Sequence, residues 1–263
     1  MGKFDGVLLV TDWDGTFFQE KIFEENIKAL RYFEENGGAF SVCSGRYSDF
    51  LKGFKEDVPF NTYTICYNGA YIVDLNNNDV LFRGFCDSHL FDILDTIVSK
   101  KIEYETINVY DDSCSEPTAY TYDEYLKLRD ELKKRNIYKV LLRAESVTKG
   151  TKGALEANKL ELYDYIAVRS WGLSLEFMKK ENAKGAAVRR LADKLGSKLI
   201  VAVGDYENDI DMLKAADVAY AVENAIDEVK RIADRVTVGV TESAIAHIIY
   251  DIERDIENKV IVL

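Results

Sequence analysis

Gly6-Val7-Leu8-Leu9-Val10-Thr11-Asp12-Trp13-Asp14-Gly15-Thr16 carries an aliphatic run straight into two carboxylates set two positions apart. A parallel strand buried on both faces reads as a continuous aliphatic stretch, and open α/β sheets gather their ligands at the carboxyl ends of such strands. Residues i and i+2 of an extended segment point the same way, so Asp12 and Asp14 would face one substrate if the strand geometry persists past Thr11. Two acids held that close repel, which calls for a cation between or beside them. The competing reading is a solvated turn, Asp-Gly being a common turn pair. This motif alone leaves both readings open.

The same grammar repeats on either side of a long interruption. Spacing of Ile27, Leu30 and Phe33 predicts a helix over 26–35, ended by Asn36-Gly37-Gly38. Strand-like runs follow at Ala39-Phe40-Ser41-Val42-Cys43, leading into Ser44-Gly45-Arg46, and at Tyr63-Thr64-Ile65-Cys66-Tyr67, leading into Asn68-Gly69. Tyr71-Ile72-Val73 and Val80-Leu81-Phe82 flank an Asn-rich turn and read as a hairpin. Between 84 and 180 the pattern changes: helical stretches at 90–98, 122–134 and 152–158 alternate with strand-like ones at 104–109, 139–142, 165–170 and 173–178. The first grammar then returns as a helix over 183–195 and the strand Leu199-Ile200-Val201-Ala202-Val203, ending in Gly204-Asp205. A helix over 209–215, a strand over 218–222 and helices over 224–233 and 241–252 follow. The expected fold class is α/β, a doubly wound parallel-sheet core built from 1–83 and 181–263 and interrupted by an inserted α/β domain at 84–180.

Composition narrows the function. With 263 residues, 47% hydrophobic and 30% charged, the chain reads as soluble and globular. No apolar run approaches the roughly 20 residues of a membrane span, and the N-terminus lacks a basic-then-apolar leader, so a cytoplasmic protein without a membrane partner is expected. Cys43, Cys66, Cys86 and Cys114 show no metal or disulfide spacing and read as plain thiols. A formal charge of −12 argues against nucleic acid as partner, and an anionic substrate would need local cations or a metal. His89 and His247 lie near neither acidic motif and read as surface or satisfied residues, while Tyr120, Tyr122 and Tyr125 read as packing or surface.

The second acidic motif, Gly204-Asp205-Tyr206-Glu207-Asn208-Asp209, has the context of the first. If both strands share one sheet, Asp12, Asp14 and Asp205 converge at its carboxyl edge. Such a sparse oxygen set suits Mg²⁺, which takes one or two carboxylates and completes its shell with water and phosphate oxygens.

Taken in order, Asp12-Trp13-Asp14-Gly15-Thr16, Ser44-Gly45-Arg46, Lys184-Gly185 and Gly204-Asp205-Tyr206-Glu207-Asn208-Asp209 resemble the four motifs of the haloacid dehalogenase-like hydrolase superfamily. Asn68-Gly69-Ala70 ahead of the insertion is similar to the Cof-type sugar-phosphatase branch with its large class IIB cap. The resemblance implies a Rossmannoid core with an inserted cap and a Mg²⁺-dependent phosphatase acting on a small phosphorylated metabolite. It implies that Asp12 is the nucleophile that becomes an aspartyl-phosphate, and that Asp14 is the acid and base. Asp12, the carbonyl of Asp14 and Asp205 would hold the metal, with Asp209 behind them. Ser44, Gly45 and Asn208 would bind the phosphoryl group, and Lys184 would neutralise its charge. Arg46 would reach substrate or a cap carboxylate. Lys149-Gly150 and Lys152-Gly153 are decoys, since only Lys184 opens the helix that leads to the Asp205 strand. Trp13 stands where the family has a smaller apolar residue or Phe, and altered packing is expected rather than altered chemistry. Asp14 argues against a dehalogenase, while a phosphomutase and a catalytically idle metabolite-binding protein stay as rivals. The protein would be a monomer or homodimer.

Overall fold

A computed structural model describes residues 2–263. Its first stretch runs β1 (Val7–Thr11), α1 (Glu24–Glu35), β2 (Ala39–Val42), α2 (Ser48–Lys52), β3 (Thr64–Cys66), β4 (Tyr71–Val73) and β5 (Val80–Arg83). Next come α3 (Ser88–Ser99), β6 (Thr106–Asp111), β7 (Thr118–Tyr120), α4 (Tyr122–Leu132), β8 (Ile137–Arg143), α5 (Val147–Ala157), β9 (Tyr165–Trp171) and β10 (Ser174–Lys179). The chain finishes with α6 (Lys184–Leu195), β11 (Leu199–Gly204), α7 (Ile210–Ala215), β12 (Val218–Ala221), α8 (Asp227–Ile232), β13 (Arg235–Val236) and α9 (Ala244–Glu257). Among the described residues no helix is long and apolar enough to cross a membrane.

Every residue of β1 is buried, as its aliphatic run requires of a strand covered on both faces. It lies inside a five-stranded sheet of order β13-β12-β11-β1-β2, all of whose pairings are parallel. Thr11 pairs with Val203 on one side and Val42 on the other, so the strands preceding Asp12, Asp205 and Ser44 end at one level. That shared edge positions the site.

The expected third parallel strand turns out differently. β3 joins β4 and β5 in a separate antiparallel sheet and meets β2 through a single parallel bridge, Cys43 to Ile65. The cause is local: β3 spans three residues, and Asn68, at φ 57°, turns the chain back immediately after it. α5 begins earlier than its glycine-broken pattern suggested. Ser146 caps it, and Gly150 and Gly153 are needed there, because a Cβ would stand 2.7 Å from the Gly172 carbonyl and 2.6 Å from the Tyr104 ring. α2 and β7 are too short for periodicity to reveal them.

Residues between α3 and β10 build an antiparallel sheet of order β7-β6-β8-β10-β9 with its own apolar cluster, centred on residues such as Ile107, Val140, Leu142 and Phe177. Period-two alternation decides the two faces of this sheet: Ile107 and Val109 of β6 are buried, whereas Thr106, Asn108 and Tyr110 between them are only partly covered. The two units meet through aromatics. Tyr138 of β8 stacks on Tyr67 at 4.7 Å and on Tyr71 at 5.4 Å, and so belongs to the first cluster.

Candidate active site

β1 ends at Thr11, and the Asp12 amide extends the ladder by one bond, to Val203 O at 3.0 Å. Asp12 is thereby fixed, nearly buried, at the sheet edge. Lys184 approaches it from the first position of α6. Gly185 is what allows this: its N–H bonds Asp211 Oδ2 at 2.9 Å, and a Cβ would stand 2.4 Å from the Asp211 carbonyl, so α6 closes onto α7 only with glycine there. The buried Lys184 Nζ donates to Asp12 Oδ1 at 2.5 Å and to Asp209 Oδ1 at 2.6 Å. The other Asp209 oxygen, Oδ2, accepts the backbone N–H groups of Asp205 at 2.9 Å and Tyr206 at 3.1 Å, shaping the loop after β11. Asp205 Oδ1 takes the Thr16 hydroxyl at 2.7 Å.

Burial pushes the Asp12 carboxyl well above its ordinary range against the pull of Lys184, and Asp209 and Asp205 push it further. Burial, with Asp209 beside it, moves the Asp205 carboxyl up to about 7. Burial works against the Lys184 charge, but Asp12 and Asp209 outweigh it and hold the ammonium above its usual range. One cation among three clustered acids leaves the site short of positive charge.

Asp14 lines the same cleft as Asp12, although β1 has already ended at Thr11. It is half exposed, and the Arg46 guanidinium grips it through Nε to Oδ2 and Nη2 to Oδ1, both at 2.7 Å. Arg46 therefore meets a core carboxylate, neither a cap acid nor open cleft, and it stacks over Phe50 at 4.6 Å. Ser44 is buried, and its Oγ accepts the Arg46 N–H at 3.1 Å, which leaves its own proton to donate. Trp13 faces away into an aromatic block, stacked on Phe18 at 5.5 Å, with Phe17 and Phe54 beside it.

The second sheet roofs a cleft of 1090 Å³ that Asp12, Asp14, Ser44, Gly45, Asp205 and Asn208 line from below. From the roof, Lys139 of β8 forms a fully buried ion pair with Glu176 of β10. Asn68 Nδ2 donates to the same Glu176 oxygen at 2.8 Å, and Asn208 Nδ2 donates to Asn68 Oδ1 at 3.3 Å. A second tie joins Arg169 of β9 to Glu207, in the loop that carries Asp205 and Asn208.

A family model described as haloacid dehalogenase-like hydrolase matches residues 9–249. The chain belongs to the haloacid dehalogenase-like hydrolase family. Among curated relatives, phosphatase YwpJ of Bacillus subtilis is 26% identical over 282 residues, covering 91% of this chain and 97% of the relative. The 5-amino-6-(5-phospho-D-ribitylamino)uracil phosphatase YcsE of the same organism is 28% identical over 235 residues, covering 88% and 89%. A solved haloacid dehalogenase-like hydrolase from B. subtilis superposes with a TM-score of 0.76 at 24% identity over 92% of this chain and 98% of that one. A solved subclass IIB sugar phosphatase of the same fold gives 0.74 at 18% over 93% and 98%. The protein is thus an enzyme, a hydrolase whose curated relatives are named phosphatases.

In this haloacid dehalogenase-like hydrolase the donor set fits a hard divalent cation. Oxygens of Asp12, Asp205 and Asp209 lie within 4.8 Å of one another. Among the described residues, Asp12 Oδ2, Asp205 Oδ2 and the Asp14 carbonyl accept no hydrogen bond, whereas both Asp209 oxygens are taken. Three uncommitted oxygens beside acids that burial drives toward neutrality are what Mg²⁺ would stabilise. Sequence reasoning missed Thr16, Lys139, Glu176, Arg169 and Glu207. A lysine and a glutamate inside otherwise apolar strands were the available signal for the roof pair. His89 sits in an acidic pair that the sequence pattern did not show, with Nδ1 at 3.4 Å from Asp87 and 3.9 Å from Asp164, and Lys179 already neutralises both acids.

Proposed function

We propose that the protein is a cytoplasmic, Mg²⁺-dependent phosphatase of small phosphorylated metabolites, sugar phosphates first among them, acting alone or as a homodimer. The observation that carries the reading is the Lys184 ammonium: it neutralises Asp12 through Oδ1 while leaving Asp12 Oδ2 unengaged at the cleft. That is the arrangement of a carboxylate nucleophile. The Asp12 carboxylate forms a bond to phosphorus as the ester oxygen departs with its pair, and Asp14 gives that oxygen a proton. Water then attacks the aspartyl-phosphate, Asp14 takes its proton back, and phosphate leaves Asp12 regenerated. Ser44, Gly45 and Asn208 hold the phosphoryl oxygens, and Lys184 offsets the charge gathering on them. Arg46 fixes Asp14 in the free site and stands within reach of an incoming anion. Mg²⁺, held by Asp12, the Asp14 carbonyl and Asp205 with Asp209 behind them, would supply charge neutralisation at the phosphoryl group. Residues 84–180 serve as the cap that selects the ester.

Phosphate release from a panel of phosphorylated metabolites, with and without Mg²⁺, tests this. Asp12→Asn is expected to abolish turnover, and rapid quenching of the unaltered enzyme to show a phosphoryl adduct mapped to Asp12. Substantial hydrolysis by Asp12→Asn would overturn the assignment. Transfer to a second hydroxyl, in place of water, would mark a mutase.

A further inference from the structure

We infer that the preferred ester is longer than a single sugar phosphate and ends in a ring carrying hydrogen-bond acceptors, held between Arg143 and Trp171 at the far end of the roof. This rests on the phosphatase reading above. The roof is ordered in rows by strand register. Arg143, Ser174 and Trp171 are direct partners across β8, β10 and β9 and therefore share one row. Lys139 lies four residues back along β8, with its Nζ 3.2 Å from where a Gly45 Cβ would stand, next to the phosphoryl-binding loop. Four residues of antiparallel strand span about 14 Å. The backbone of the Arg143 row thus stands about 14 Å further along the roof than that of the Lys139 row, a span longer than one hexose.

Chemistry separates the near and far rows. At the near end Lys139 and Glu176 satisfy each other and Asn68, and both are buried. Exposure then grows along the cleft-facing side of β8, from buried Lys139 through partly covered Leu141 to exposed Arg143. Arg143 lines the cleft, and among the described residues no carboxylate lies within ion-pair distance of it. Trp171 lines the same cleft, yet it is 58% exposed. A cation with free donors and an indole with no aromatic partner among the described residues, two positions apart in one row, make a platform for a ring whose face stacks and whose edge accepts hydrogen bonds. Both a heterocycle with carbonyls and a second sugar ring meet that description.

Two matched pairs separate these sources: flavin mononucleotide against ribitol 5-phosphate, and trehalose 6-phosphate against glucose 6-phosphate, with p-nitrophenyl phosphate as reference. In at least one pair the longer ester is expected to have roughly tenfold higher kcat/KM, the scale of one stacked ring. Trp171→Ala and Arg143→Gln should each shrink that ratio to about threefold or less, mainly through KM. Both side chains are exposed, so folding is spared. As a direct reading, the inactive Asp12→Asn protein should show quenching of Trp171 fluorescence by the longer ester, the only other tryptophan being the buried Trp13. Turnover of p-nitrophenyl phosphate with no preference in either pair, or a preference that survives both substitutions, overturns this inference alone. No turnover of any of the five esters overturns it together with the reading on which it rests.

Discussion

Replacing Lys184 by Met keeps the volume of a fully buried side chain and removes its charge, leaving Asp12, Asp205 and Asp209 clustered with no cation. Two hydrogen bonds are lost, at 2.5 and 2.6 Å. Bonds to charged groups contribute about 1.5–3 kcal/mol each, and breaking a buried ion pair costs about 3–5 kcal/mol, so the two scales agree. The loss is not fixed, because a carboxyl escapes repulsion by taking a proton. Asp12 is already pushed upward by burial with Lys184 present, and goes higher without it. A carboxyl whose folded pKa lies above its unfolded value binds the proton first in the folded state, so stability falls as pH rises from the unfolded toward the folded pKa. The deficit of the variant should therefore be largest at alkaline pH and shrink by up to about 1.4 kcal/mol per pH unit for each carboxyl that protonates. Urea unfolding of both proteins at pH 5.5 and pH 8, with and without MgCl₂, measures this. The expected gap is about 3–5 kcal/mol at pH 8, narrower by at least about 1 kcal/mol at pH 5.5, and partly closed by Mg²⁺, which binds only the folded site. Turnover should drop by roughly 10²–10³, the cost of removing one preorganised charge. A gap indifferent to both pH and Mg²⁺ would refute the idea that this ammonium balances the acids.

Asp14→Asn should slow alkyl phosphates by about 10²–10⁴ but aryl phosphates far less, since good leaving groups need little protonation; equal losses in steady-state assays on both would count against the acid role. Asp205→Ala should move the Mg²⁺ activation midpoint to markedly higher concentration, and an unchanged titration would remove Asp205 from the metal site. In the cap, Asp95 joins α3 to α4 through Arg129 Nε at 2.7 Å and the Tyr125 hydroxyl at 2.8 Å. Burial opposes its charge, but these bonds prevail and hold its carboxyl below the ordinary value. A carboxyl held low in the folded state contributes stability above its unfolded pKa of about 3.9 and loses it as pH falls through the folded pKa. Asp95→Asn should therefore be less stable by about 1–2 kcal/mol near pH 7, discounted for partial exposure, and converge with the parent in strong acid. A constant difference across the acid limb of the unfolding curves would contradict this.

What the sequence revealed depended on how each contact is built. β1 and β11 announce themselves by uninterrupted aliphatic runs, and Asp12, Ser44 and Asp205 follow because a side chain at a strand end inherits its position from the strand. Lys184 was legible for the same reason, at the start of a helix whose next residue must be glycine. The Arg46 fork on Asp14 joins two loops 32 positions apart, and no periodicity fixes a loop. Lys139 meets Glu176 only through the register of two strands 37 residues apart, which depends on tertiary pairing. β3 was misassigned because the aliphatic pattern of a buried strand does not say which neighbour supplies its hydrogen bonds, and Asn68, the residue that redirects the chain, also suits an ordinary turn.

The Arg169 to Glu207 tie has a thermodynamic corollary. Glu207 sits between Asp205 and Asn208, so the roof grips the same short loop that presents oxygens to a cation. Any free energy by which cation binding rigidifies that loop acts on the roof through this grip, and whatever an ester gains by holding the roof down returns to the cation in equal measure. Cation and ester are then linked ligands: each should tighten the other by the same factor, and Arg169→Gln should diminish that factor in both directions alike.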